Sequence, residues 1–362
     1  MASRMLVGSR KGLFILEPAG TSTQGAAGWH IVQQAFLGQP VSQVLHDPRD
    51  GILYAALNLG HFGAKLHRSE DGGANWTEVA VPAFARQADK PDAPSVIMVW
   101  ALEAAGRDQP GVIYAGTMPA AVFRSDDKGE TWRINEAFEA IPSKPHWFGG
   151  GNDAPGLHSI ALHPEDSRRL VVGVSCGGAW ASADGGQSWS SAAQGMWAAY
   201  MPPEERDNPA IQDPHRIVRC RDHPDVLWTQ HHNAQFRSTD GAGAWGTISE
   251  TFGFAVAAHP RDPETAWFVP AQKDEMRIPA AGDFCVLKTA DGGKSFRRIT
   301  AGLPASPCFD LVYRHGLDVD GEGRDLAFGS TTGNLWASGD GGESWYAISH
   351  HLPPIYCVKL LQ

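Results

Sequence analysis

One short string, repeated, constrains this chain more than anything else in it. Ser69-Glu-Asp-Gly-Gly-Ala-Asn-Trp76 returns as Ser125-Asp-Asp-Lys-Gly-Glu-Thr-Trp132 and Ser182-Ala-Asp-Gly-Gly-Gln-Ser-Trp189. It returns again as Ser238-Thr-Asp-Gly-Ala-Gly-Ala-Trp245, Thr289-Ala-Asp-Gly-Gly-Lys-Ser-Phe296 and Ser338-Gly-Asp-Gly-Gly-Glu-Ser-Trp345. The aspartates fall at 71, 127, 184, 240, 291 and 340, an interval regular enough to mark a propeller or solenoid rather than independent domains. Each element of the string has a physical reason. A carboxylate can accept bonds from its own turn's N–H groups. Glycine allows the positive φ that such a turn needs. The aromatic opens the next strand and reaches back under the turn, between neighbouring sheets.

Three strand-like runs precede each turn and one follows, which makes four strands per unit. The fourth unit shows this as LHSIALHP, RLVVGVS, GAWASA and SWSSAA. The seventh reads FDLVYRH (309–315), DLAFGST, NLWASG and SWYAIS. RMLVGS, GLFIL and WHIVQQ remain at the N-terminus and IYCVKLL at the C-terminus. Joined, they make one further blade and remove the open sheet edges. The expectation is a single all-β domain over 1–362, a seven-bladed β-propeller of four-stranded blades with six such turns. In the first blade Trp29 holds the aromatic position and Gln24 replaces the aspartate.

The string resembles the Asp box of BNR repeats, and six copies across 60–350 make the chain similar to sialidase-like BNR-repeat (WD40/YVTN/BNR-like) propellers. That resemblance implies the fold and an enzyme of the sialidase-like, glycosidase group. It does not carry the reaction. Such sialidases have three arginines clamping a carboxylate, a Tyr–Glu nucleophile pair, an aspartate acid and an F/Y-R-I-P string. Met276-Arg277-Ile278-Pro279 matches four letters but lies in a loop of the sixth blade, and no Tyr–Glu pair stands out.

Composition closes off other classes. A net charge of −10 and the lack of a Lys/Arg run argue against nucleic-acid binding. The five scattered cysteines form no CxxC pair, so neither a disulfide framework nor a zinc knuckle is indicated. MASRMLVGSRKGLF lacks the apolar core of a secretory signal, and no run of membrane-spanning length exists. The expected location is cytoplasmic, with no membrane partner.

A site should lie on the face opposite the repeated turns, where the chain places its long loops: 80–95, 135–157, 192–213 and 270–283. The ends of the inner strands there offer Asp213, Cys176, Thr331 and Tyr356, with His146, Asp274 and Glu275 close by. The catalytic candidates are His158, His215, His231, His232, Lys273 and Asp310, imidazole being suited to proton transfer near neutral pH. Arg10, Asn58, His61, Trp100, Tyr200, Asn233 and Arg277 are the substrate-binding candidates. Three functions stay open. The first is hydrolysis of a carbohydrate or other polar small molecule by His and carboxylate groups. The second is a metal-dependent lyase or hydrolase with one divalent ion on His158, His215 and His231. The third is a non-catalytic scaffold, similar to BNR-type photosystem assembly factors.

Overall fold

The computed structural model describes residues 2–19, 28–85, 94–150 and 152–361. Gln24, part of the loop 80–95 and residue 151 lie outside them. Seven antiparallel sheets of four strands make the blades of a β-propeller. Blade one joins Ile355–Leu361 to Arg4–Ser9, Gly12–Pro18 and Trp29–Ala35. Blades two to six begin with inner strands Val41–His46, Met98–Ala104, Leu157–His163, Pro214–Arg219 and Gly253–Ala258. Blade seven begins with Leu317–Val319. No helix among the described residues is long and apolar enough to cross a membrane.

Burial falls from the axis to the rim, as the hydrophobic patterning of the strands requires. Gly253–Ala258 is buried throughout, while the outer strand Thr77–Val79 is largely exposed. The core therefore lies between blades. Trp267 and Phe284 of blade six pack with Phe328, Trp336 and Trp345 of blade seven, Phe328 and Trp345 having ring centroids 4.8 Å apart. All five cysteines are buried and free.

The repeated turns share one hydrogen-bond pattern. In the first, Ser69 Oγ donates to Asp71 Oδ1 at 2.9 Å, Gly73 N–H to Ser69 Oγ at 2.8 Å and Asn75 N–H to Asp71 Oδ1 at 2.8 Å. The same three bonds recur around Asp127, Asp184, Asp240, Asp291 and Asp340. In three of them the tryptophan ties one blade to the one before it. The indole N–H of Trp132 donates to Ala80 O, that of Trp189 to Asn135 Oδ1, and that of Trp245 to Ala192 O.

The inner strand of blade seven departs from the sequence expectation. Residues 309–315 are irregular, and the strand is Leu317–Val319. The alternation in FDLVYRH looks like a strand, but its polar groups bond elsewhere. Asp310 accepts from Asn334 Nδ2 at 2.8 Å, from Cys308 Sγ at 3.2 Å and from the Thr332 hydroxyl. Gly316 N–H donates to Tyr313 O, closing a turn where a ladder would run, and Thr331 N–H reaches Leu311 O from the next strand's end.

Candidate functional site

The inner strands share a device that positions side chains at the channel mouth. In blades two to six the pairing of inner strand and neighbour shifts register near the start of the strand, past Ser42, Trp100, His158, His215 and Phe254. In blade one the same shift passes over Tyr356. A bulge re-aims the extra residue and bends its strand. Six successive blades thus present one side chain each to the same end of the ring.

Two cavities lie there. The larger, about 1080 Å³, is lined by Ser42, Asn58, Phe62, Trp100, Tyr313 and Tyr356 among others. The smaller, about 270 Å³, is lined by Phe148, Cys176, Tyr200, Asp213, His215, His232 and Phe254. Asn152, Arg277 and Arg314 line both, so the two spaces adjoin. The loops 135–157, 192–213 and 270–283 supply Phe148, Tyr200 and Arg277 to these walls.

Asp213 organises the smaller cavity. Its Oδ1 accepts from Ser175 Oγ at 3.1 Å and from Cys176 N–H at 3.2 Å. Its Oδ2 lies 3.3 Å from His215 Nε2 and 3.3 Å from His232 Nδ1. The other nitrogen of His215, Nδ1, is 2.6 Å from Gly253 O and donates to it. Burial alone would raise the Asp213 carboxyl; His215, His232 and Arg314 outweigh it and hold it well below the usual range. Burial lowers His215 against the pull of Asp213. Burial, then Asp213, pushes the Cys176 thiol up, so it is no thiolate nucleophile. Cys176 holds a φ of +47°, a strained conformation for a residue with a Cβ.

The same cavity also has cationic lining. Arg314 is only 8% exposed, with its guanidinium 4.8 Å from the Trp100 ring centroid and 5.4 Å from that of Phe254. Its Nε has no hydrogen-bond partner among the described residues. Arg277 stacks at 5.7 Å on Phe254 and bonds Asp274 Oδ1 at 2.8 Å. A buried guanidinium in this setting suits an anionic group of a ligand, because the aromatic faces attract its charge without filling its N–H fork.

The structure gathers some of the candidate residues here and places others elsewhere. His215, His232, Tyr200, Arg277, Trp100 and Asn58 line the joined cavities. His158 and His231 are fully buried instead. His158 packs edge-on to Trp100 at 5.6 Å, and burial, then Arg314, pushes it well below its ordinary pKa. His231 Nε2 accepts from Asp213 N–H at 3.0 Å, and burial lowers the ring to about 3. It is a strut behind Asp213. Asn233 is likewise a tie, its Oδ1 accepting from Ala199 N–H at 3.0 Å. Lys273 is exposed and pairs with Glu275 at 3.5 Å. Asp310 orients Thr332 and Asn334. Arg10 lies exposed in the turn after Arg4–Ser9, and His61 lies exposed in the short turn Gly60–Phe62. Arg216, with Glu103, Asp318 and Lys359, lines a separate cavity of about 360 Å³.

Arg314 escaped the sequence reading. It sits in a segment that reads as a strand, and an arginine within FDLVYRH looks like an outward-facing residue. Nothing in the string sets it apart, because the segment is irregular and its side chains do not follow the alternation of a strand.

No family model matches the chain. No curated protein matches it either. Solved structures share the fold. A GH74 enzyme from Niastella koreensis superposes with a TM-score of 0.62 at 15% identity, over 96% of this chain and 54% of that one. This chain therefore spans about half the length of that enzyme. YCF48 from Cyanidioschyzon merolae gives 0.54 at 13% identity, over 94% of each chain. A putative 6-phosphogluconolactonase from Bacteroides fragilis gives 0.58 at 11% identity, over 99% and 98%. At these identities the likeness is one of fold.

Proposed function

We propose that the chain is a hydrolase of a polar, anionic small molecule, a carbohydrate derivative first of all, bound at the loop-rich mouth of the propeller. One observation carries this. Asp213 Oδ2 is approached by two imidazoles, and Arg277 and Arg314 line the same cavity. The first group suits activation of a water. The second suits fixation of a carboxylate or phosphate of the substrate. Trp100 and Tyr356 in the adjoining cavity give flat apolar faces for a sugar ring. Asp213 is ionised, so it serves as base or orienting group and not as the acid of a two-carboxylate glycosidase. The fold is one that a GH74 enzyme and a putative lactonase use, which supports the reading without specifying a substrate.

The test is a turnover screen of glycosides, sugar lactones and sugar esters, each with and without a carboxylate or phosphate. Turnover should favour the anionic members and fall at least about 100-fold in His232→Ala, the loss typical of removing a positioned acid–base group. A folded His232→Ala protein with full activity would move the site elsewhere. A second reading has its own support. YCF48, matched over 94% of both chains, has also been solved bound to D1 peptide. Under that reading the larger cavity is a peptide-docking surface, the screen shows no turnover, and peptide binding falls on changing Trp100 or Tyr356.

A further inference from the structure

The side chains around Asp213 point to a cation. Gly253 O, 2.6 Å from His215 Nδ1, requires the ring proton at Nδ1. Nε2 then faces Asp213 Oδ2 at 3.3 Å, and it does so with a lone pair unless it carries a second proton. That carboxylate oxygen also bears lone pairs, and the other oxygen of Asp213 is already engaged by Ser175 and Cys176. Two lone pairs facing each other in a buried site repel unless something positive lies between them. His232 Nδ1 approaches the same oxygen, also at 3.3 Å, and the three candidate ligand atoms all lie within 4.8 Å of one another.

Distance separates the two candidates for that positive charge. A proton shared between imidazole and carboxylate draws N and O to about 2.7–2.9 Å. A tetrahedral ion with bonds of about 2.0–2.1 Å separates its ligand atoms by about 3.3–3.4 Å. Both approaches to Asp213 Oδ2 have the second spacing, whereas the two ring nitrogens are held only within 4.8 Å of each other, so binding one ion at these bond lengths brings them to about 3.3–3.4 Å. We propose that Asp213, His215 and His232 hold one divalent transition-metal ion of the zinc class. Two nitrogens and one oxygen suit a borderline ion better than magnesium or calcium, which take oxygen ligands, or copper(I), which favours sulfur.

The surroundings agree. Ligating histidines generally donate their other N–H to a carbonyl or carboxylate, and Gly253 O fills that role for His215. Ser175 and Cys176 fix the rotation of Asp213 in the same way. Three protein ligands leave one position open, and the cavity of about 270 Å³ adjoins it. Arg314 opposes a bare cation and favours an anionic ligand at the open position. The ion and the anion-binding wall thus make one substrate site. This assignment deepens the hydrolase reading and shares its location, but the ion can be tested without any substrate.

The experiment uses the full chain without a histidine tag, stripped by a chelator and dialysed. Zinc is titrated in competition with a chromogenic chelator, and elemental analysis follows. One equivalent per chain is expected. His232→Ala should weaken binding at least about 100-fold, beyond the usual loss for second-sphere changes. Asp213→Asn should do the same where it folds, as judged by circular dichroism; His232 is partly exposed, so its variant keeps the test decisive if Asp213→Asn does not fold. His146→Ala, on an exposed loop position, should bind as wild type does. The proposal is overturned by the lack of stoichiometric binding, or by unchanged affinity in His232→Ala. Zinc binding with no turnover in the screen would leave the metal site standing and remove the hydrolase reading. Turnover by stripped protein would keep the hydrolase and deny the ion a part in it.

Discussion

Arg314 concentrates the chemistry of this molecule in a single side chain. It is a buried cation whose Nε has no hydrogen-bond partner among the described residues, held between Trp100 and Phe254. Two opposing effects set its contribution to folding. Its cation–π contacts are worth about 0.5–2 kcal/mol. Desolvating its charge costs several kcal/mol, part of which Asp213 returns. Arg314→Met keeps the length and the packing while removing the charge. We expect its thermal stability to lie within about 1 kcal/mol of wild type, or above it. Affinity for an anionic substrate or product should fall at least about 30-fold, as when one partner of a buried charge pair is truncated. A variant that binds the anion normally would show that the guanidinium is structural. The same residue marks where sequence reading ended. His215, His232 and Tyr200 were legible because strand ends and long loops can be placed from the repeat. Arg314 and the partnership around Asp213 Oδ2 were not, because both depend on side-chain direction at a bulge or in an irregular segment.

The repeated turns allow sharper tests at the level of the element. Position 293 is a glycine with φ +87°, and an added Cβ would lie 2.8 Å from Ile248 Cβ. Gly293→Ala should destabilise by about 1–3 kcal/mol, from backbone strain and overpacking together. Position 242 already carries an alanine at φ +76°, buried to 2% exposure. Ala242→Gly relieves about 1 kcal/mol of strain and forfeits about 0.8 kcal/mol of methyl burial, so chemical denaturation should show almost no change. A large effect there would mean the turns are not equivalent. Their aspartates also predict a pH dependence. Hydrogen bonds from Asn75, Ser188 and Ser295 hold Asp71, Asp184 and Asp291 to about 2, against 3.8 for a free side chain. The folded-state values are depressed, so this stabilisation is complete above about pH 4 and is lost as pH falls through 2. The melting temperature should drop between pH 4 and 2. In the triple variant Asp71→Asn, Asp184→Asn, Asp291→Asn the drop should be shallower. Parallel curves would exclude the turns as its source. The blades themselves were legible because turn, strand and aromatic recur with period. The inner strand of blade seven was misplaced because alternation alone cannot show that Asp310 bonds Thr332 and Asn334 instead of aligning with a ladder.

At the scale of the whole molecule, one bulge repeated around a closed ring turns a stable frame into a place for chemistry. Ser42, Trp100, His158, His215, Phe254 and Tyr356 occupy equivalent positions, so their identities can differ without altering the strands that carry them. The frame depends on closure. Ile355–Leu361 pairs with Arg4–Ser9 through Met5–Leu360 and Val7–Val358, and its side chains enter two interblade clusters. Removing residues 355–362 would strip Arg4–Ser9 of its partner and leave an apolar sheet edge, which templates association with other chains. It would also withdraw Tyr356 from the wall of the larger cavity. The truncated chain should therefore elute as oligomer or aggregate in size exclusion with light scattering. A synthetic peptide of residues 355–362, supplied in excess, should bind the vacated edge and restore a monomer, since binding to the folded state alone stabilises it by mass action. A truncated chain that stays monomeric with an unchanged melting temperature would show that interblade packing holds the ring without its last strand.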